Sequence, residues 1–256
     1  MAARTVSART FAAVGAVAVL VAGLSACASA SDDKDPEHRS FAFQGDTLTI
    51  DADDSALEIV AADGNRAGEV EVTRWFQGSV ALGSDPEVTW SIDDGRLKLR
   101  TRCSGVVADC ATKHRVEVPR GIAVTVKTDD GSVRAQGFRD ALEIRTADGS
   151  VRVSDSSGPL ELHSDDGSLR ADVSSRRVNA STRDGSVRLE LGAVPDLVDT
   201  RSDDGSVTVD LPRATYKVSA ESDDGSVDVS VPRDDASSHE VTARTQDGKV
   251  TVRTAN

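Results

Sequence analysis

Two sets of charged residues recur along the chain at a spacing that could do chemistry. Paired acids stand before a glycine at Asp129-Asp130, Asp165-Asp166, Asp203-Asp204 and Asp223-Asp224. If their segments stack, the carboxylates gather on one edge and repel, and a hard oxygen-seeking cation such as Ca2+ would relieve the repulsion. The surrounding pattern is neither a Gly-Gly-x-Gly-x-Asp nonapeptide nor an EF-hand loop. Solvated turn acids are therefore the plainer reading of these eight residues, with Ca2+ as the alternative. The second set is Arg134, Arg152, Arg170 and Arg188, each three residues after a glycine. Such a column could take an anionic glycan or a phosphate polymer of the teichoic type. The competing expectation is pairing with neighbouring Asp and Glu on an exposed face, at about 0–1 kcal/mol per pair.

Catalytic groups are sparse. The four histidines, His38, His114, His163 and His239, are scattered, with none in a recognisable nucleophile–base setting. There is no Gly-x-Ser-x-Gly elbow, no His-Glu-x-x-His and no phosphate-binding glycine loop. The serine of Asp-Gly-Ser recurs six times, which fits a turn residue and not a unique nucleophile. Some solenoids act on polysaccharides, but such sites use several aromatics for sugar stacking. From Val116 onward the only aromatics are Phe138 and Tyr216.

These residues sit in a repeat. A twelve-residue unit reads apolar-x-apolar-x-Thr/Ser-x-Asp-Gly-Ser-apolar-x-apolar, as in VTVKTDDGSVRA from Val124 and LEIRTADGSVRV from Leu142. Its glycines, Gly131, Gly149, Gly167, Gly185, Gly205, Gly225 and Gly248, are spaced by 18, 18, 18, 20, 20 and 23 residues. A degenerate copy, VTWSIDDGRLKL, starts at Val88, and a fragment, LEIVAADG, at Leu57. Period-two alternation puts Leu142, Ile144, Val151 and Val153 on one face and Glu143, Arg145 and Arg152 on the other. The Asp-Gly pair bends the chain, with glycine expected at positive φ. The preceding Thr or Ser faces inward, where its hydroxyl can bond a turn amide or its counterpart in the next copy. Two all-β architectures fit: a β-solenoid in which each unit is a rung, and an antiparallel β-sandwich of hairpins with type I′ Asp-Gly turns. The regular spacing and interchangeable copies favour the solenoid.

The N-terminus adds a compartment. Arg4 and Arg9 precede an uncharged run from Phe11 to Leu24, the length of a signal-peptide core and shorter than the roughly 20 residues of a spanning helix. The run ends in Leu24-Ser25-Ala26-Cys27, which resembles the lipobox of bacterial lipoproteins. That resemblance implies a lipid on the Cys27 thiol and cleavage before it, placing the chain at the extracytoplasmic face of the cell membrane. Two or more acyl chains anchor far more firmly than one. In an oxidising compartment Cys103 and Cys110 are expected to form a disulfide. Two thiols seven apart with only His114 nearby do not make a metal set. No cofactor is expected beyond the Ca2+ alternative. The net charge of −13 argues against nucleic acid.

The expected organisation is a signal peptide (1–26), a lipid-anchored solvated linker (27–40), an irregular N-terminal β capping portion (41–115) carrying Trp75, Phe76 and Trp90, and the repeat domain (116–256). The lipobox, the two cysteines, the segment Val116-Glu117-Val118-Pro119-Arg120-Gly121 and the tandem Thr/Ser-x-Asp-Gly-Ser-Val units together resemble the putative-adhesin family of bacterial β-strand-repeat proteins. This family has no known biochemical function. The resemblance implies the fold and compartment, and no binding residues come with it. The expected role is a non-enzymatic, surface-tethered protein presenting an interaction face to an envelope protein, a wall polymer or a second copy. The other classes are an envelope-stress or signalling accessory and a polysaccharide-acting β-helix enzyme.

Overall fold

The computed structural model describes Ala30, residues 33–63 and residues 68–255, so Cys27 and the signal segment lie outside the described residues. Nineteen strands are described. The first seven are β1 (Glu37–Ala42), β2 (Thr47–Ala52), β3 (Ala56–Ala62), β4 (Glu69–Gly83), β5 (Glu87–Asp93), β6 (Arg96–Arg102) and β7 (Gly105–Pro119). The repeats supply β8 (Ala123–Thr128), β9 (Val133–Gln136), β10 (Leu142–Thr146), β11 (Val151–Ser156), β12 (Leu160–Ser164), β13 (Leu169–Val173), β14 (Arg177–Asp184), β15 (Val187–Leu191), β16 (Leu197–Asp204) and β17 (Val207–Leu211). The long strands β18 (Lys217–Val229) and β19 (Glu240–Thr254) complete the chain.

The repeats form a parallel β-solenoid with two faces. Each unit lays one strand in a first sheet, bends at Asp-Gly, and lays its second strand in the other sheet. In the first sheet Val124, Leu142, Leu160 and Val178 stand in register on β8, β10, β12 and β14. In the second, Val133, Val151, Leu169 and Val187 do the same on β9, β11, β13 and β15. The inward residues of both sheets are buried, Ile144, Val153, Leu162 and Leu189 completely. The core is thin, as the scarcity of aromatics requires. A large residue on one strand of a rung goes with a small one on the other: Leu162 with Ala171, Ala180 with Leu189. Burying each such leucine contributes about 2–3 kcal/mol.

Glycine is needed at the turn mainly because backbones approach there. A Cβ built on Gly167 would lie 2.2 Å from the Gly149 carbonyl oxygen of the preceding rung, and one on Gly149 would lie 2.2 Å from that of Gly131. The expectation of positive φ holds at Gly131 (+111°), Gly185 (+156°), Gly205 (+155°) and Gly248 (+143°) but not at Gly149, Gly167 or Gly225. The inward hydroxyl bonds this same carbonyl column. Ser202 donates to Gly185 O at 2.7 Å, Thr245 to Gly205 O at 2.8 Å and Thr182 to Gly167 O at 3.0 Å. Carbonyls across the rung interface are therefore its main partners, although Thr146 also accepts from the Gly149 amide.

Three features depart from the simple stack. The copy at Val88 is a hairpin, not a rung: β5 and β6 pair antiparallel, with Trp90 opposite Leu99. Asp94 and Gly95 both take positive φ (46° and 71°), as a two-residue I′ turn requires. At the N-terminal end β2 and β3 lie between β6/β7 and β8/β9. At the other end the C-terminal β19 is inserted between β16/β17 and β18. The N-terminal end is covered by antiparallel pairing, β4 on β7 and β1 on β4, and Trp90 is buried against Phe41. β1 begins at Glu37, inside the stretch read as linker. Cys103 and Cys110 are disulfide-bonded beside the β7 arm. Among the described residues β18 pairs only with β19, so it presents an open edge. That edge carries Glu221, Asp223, Asp224 and Asp228, and such like charges discourage edge-to-edge pairing of copies.

A whole-period deletion follows from the register. Leu142 pairs with both Val124 and Leu160, so removing Leu142 through Pro159 lets Leu160 seat on Val124 and Gly167 on Gly131. The expected product keeps its β circular dichroism and a cooperative melt, with a modest fall in melting temperature for one lost interface. Aggregation or a non-cooperative melt would contradict the interchangeability of the rungs.

Candidate anion-binding face

The outward residues of the two sheets differ in how their charges are matched. On the first sheet three exposed arginines have acid partners. Arg145 bonds Glu143 and Glu161, Arg201 bonds Asp203, and Arg244 pairs with Glu221. Salt bridges of this exposed kind are worth little individually, but they neutralise the face.

The second sheet carries Arg134, Arg152, Arg170 and Arg188 in one column, adjacent in register on β9, β11, β13 and β15. All four are exposed. Successive rungs are about 4.8 Å apart, and like charges at that spacing repel by on the order of 1 kcal/mol even in water. Arg188 is held by Asp210 at 3.2 Å. Arg134, Arg152 and Arg170 make no hydrogen bond or ion pair among the described residues. The expectation that all four would pair with neighbouring acids thus holds for Arg188 alone. Asp172 and Glu190 stand two residues further along their strands, beside Arg170 and Arg188. On the other side of the column lie the turn serines Ser132, Ser150, Ser168 and Ser186. Between serines and arginines runs an open groove of about 270 Å³. The column is bounded at both ends. In register with Arg134 on one side is Glu58, already bound by Lys113 at 3.0 Å and by Arg115 at 2.5 Å. Beyond Arg188 stands Thr208.

The acid pairs fall on the turn edge. Asp148 lies between Asp130 and Asp166, and burial together with these two carboxylates raises its pKa. Asp54 is raised by burial and by Asp130, Asp53 and Asp129. Elsewhere on this edge arginines intervene: Arg183 lies 3.5 Å from Asp165 and 3.7 Å from Asp166, and Asp203 is taken by Arg201. Among the described residues no group of three or more His, Cys, Asp or Glu side chains is placed to hold a metal ion. Asp223 and Asp224 lie at the open end on β18.

The fold brings together one set that the sequence reading missed. His163 Nδ1 lies 3.0 Å from Ser181 Oγ, and its Nε2 lies 3.7 Å from Asp165. The two residues are 18 apart, one rung, so the repeat period was the available signal. The set lies on the outer surface of a sheet whose backbone amides are engaged in the parallel ladder, leaving no preorganised donors for an oxyanion. A second contact between serine and histidine side chains, Ser55 Oγ to His114 Nδ1 at 3.3 Å, is buried, with the two residues 2% and 0% exposed. Substrate does not reach it.

A two-faced parallel solenoid with an antiparallel N-terminal cover defines the class. The chain matches the Toastrack DUF4097 family over residues 27–256 and belongs to that family. Three solved structures are similar to this chain at low identity. A putative cell adhesion protein from Clostridium sporogenes is 13% identical, with TM-score 0.37, covering 86% of this chain and 100% of that one. A putative adhesin from Bacteroides fragilis is 12% identical, with TM-score 0.43 and coverage of 87% and 98%. Another, from Parabacteroides merdae, is 11% identical, with TM-score 0.44 and coverage of 87% and 97%. No curated protein matches.

Proposed function

We propose that this chain is a non-enzymatic binding protein, held by lipid on Cys27 at the outer face of a membrane, that presents the second sheet of its solenoid to a component of the cell envelope. The observation that carries this reading is the in-register trio Arg134, Arg152 and Arg170, exposed and without acid partners. A rigid parallel stack keeps those charges at fixed spacing, which suits recognition of an extended partner better than turnover of a small one. The six equivalent Asp-Gly-Ser serines fit a feature repeated along a face and not a unique nucleophile.

The anchor is tested by Cys27→Ala. The substituted chain should leave the membrane fraction for the medium or persist as an uncleaved precursor. Full processing with membrane retention would overturn the lipoprotein reading. The binding role is tested by retention of the full chain, in neutral detergent, on isolated cell envelopes. Retention should fall severalfold for Arg152→Gln with Arg170→Gln, and an unchanged value would remove the second sheet from the function.

A further inference from the structure

We infer that the groove between the serine and arginine columns of the second sheet binds a linear phosphate polymer laid along the solenoid axis. This inference rests on the second sheet being the face that meets the envelope. Four properties of the groove point to that ligand.

The first is shape. Ser132, Ser150, Ser168 and Ser186 form one wall and the arginines the other, repeating once per rung. The ligand that matches a row of identical donors is itself a chain of identical charges. The second is length. Glu58 closes one end, and Asp210 pairs with Arg188 at the other. The row of unpaired arginines, Arg134 to Arg170, therefore spans three rungs, about 10 Å.

The third is polarity. A guanidinium offers only donors in a planar fork that matches phosphate oxygens, and a serine hydroxyl adds another donor. Asp172 and Glu190 line the far side of the column, so an anion is repelled there and admitted on the serine side. The fourth is what the face lacks. The repeat aromatics Phe138 and Tyr216 are buried, 2% and 0% exposed, so neither gives a sugar ring a surface to stack on. The groove reads charge, not sugar rings. The overall charge of −13 is no obstacle at this range, because charges beyond about 8–10 Å are largely screened at physiological salt.

The test uses the full chain in neutral detergent. The probes are linear polyphosphates of two, four and eight phosphates, a poly(glycerol phosphate) oligomer, and an oligogalacturonate of matched charge. Affinity for the phosphate chains should rise with length and then level off once the chain covers the three unpaired arginines. The slope of log K against log salt should approach a magnitude of about 2 for three contacts on a flexible chain. Arg152→Gln with Arg170→Gln should weaken binding by at least roughly tenfold, since each lost contact is a charge-assisted hydrogen bond, and should cut the salt slope to about a third. Arg145→Gln with Arg201→Gln removes the same two charges from the first sheet and should leave binding unchanged. Binding of both phosphate polymers supports the groove as a general phosphate-chain site. Binding of the glycerol phosphate oligomer alone supports it and identifies a phosphodiester chain as the ligand.

Three results would overturn the inference: no binding of either phosphate polymer at low salt, equal loss from Arg145→Gln with Arg201→Gln, or tighter binding of the galacturonate. If these occur while envelope retention still depends on Arg152 and Arg170, the ligand assignment fails and the proposed function stands.

Discussion

Gly167→Ala is expected to destabilise the protein by about 3 kcal/mol, and Gly167→Val by more, although neither adds charge or removes a hydrogen-bonding side chain. The added Cβ would sit 2.2 Å from Gly149 O, 2.8 Å from Gly149 C and 2.7 Å from Ser164 Oγ. Real Cβ atoms do not approach backbone so closely, so the two rungs must part by about an ångström. They are bolted together at that point. Asp166 N donates to Ala147 O at 2.8 Å, and Ser164 Oγ donates to both Ala147 O and Gly149 O at 3.3 Å. Separation stretches these bonds and the strand pairing on both sides. Gly121 supplies the comparison. It has φ +83° and nothing within 4 Å of a Cβ, so Gly121→Ala carries only the left-handed strain, about 1–2 kcal/mol. Denaturant midpoints of the two alanine variants decide the matter. Equal or smaller loss at Gly167 would mean that backbone approach is not why glycine stands there. The substitution should also cost more than the whole-period deletion, because the deletion leaves every remaining interface in register.

The same local grammar explains what could be read from the sequence and what could not. The solenoid was legible because the 18-residue interval puts Leu142 beside Leu160 and Arg152 beside Arg170, and only a stacked rung needs that constancy. The arginine column was legible for the same reason. The hairpin at Asp94-Gly95 was not, since its residues match the repeat unit. What differs is that β6 already has a parallel partner in β2, leaving β5 to fold back on its other edge. The out-of-order rungs were also hidden. Rung interfaces are columns of Val, Leu and Ala joined by backbone bonds, so any rung fits any other and the sequence carries no address. Nor could spacing tell which arginines stay unpaired. Glu143 and Arg145 are two apart and bonded, whereas Arg170 and Asp172 are two apart and not. That difference lies in side-chain direction, which period-two alternation does not specify.

The protein should lose about 3 kcal/mol of stability between pH 7 and pH 4 through one histidine, and His114→Phe should lose that much less over the same range. His114 lies on β7, completely buried, opposite Arg74 of β4 and Leu57 of β3. Its ring stands 6.5 Å from that of Trp90, and Nδ1 meets Ser55 Oγ at 3.3 Å. Nε2 has no partner among the described residues. Arg74 is fixed nearby by Glu37 and by the Val88 carbonyl at 3.0 Å, with its guanidinium 4.8 Å from the Trp90 ring. Burial, then the Arg74 charge, lowers the His114 pKa from 6.5 to about 4. In that interval the unfolded chain takes up a proton that the folded one refuses. Stability is therefore fully present above about pH 6.5 and is lost as pH falls toward 4. A shift of this size corresponds to about 3 kcal/mol. Carboxyls act at the acid end of this range and below it. Asp33, Asp63 and Asp196, lowered in the folded state, lose stability as pH falls, while Asp54 and Asp148, raised, move the opposite way. These are common to wild type and variant, so the difference between their stability–pH curves isolates His114. Phenylalanine keeps an aromatic ring beside Trp90 and cannot take a proton. Its loss of the Ser55 contact shifts the curve by a constant without changing its slope. Parallel curves from pH 7 to pH 4 would show that His114 is protonated in the fold as readily as in the open chain, and that the N-terminal cover is wetter than its burial indicates.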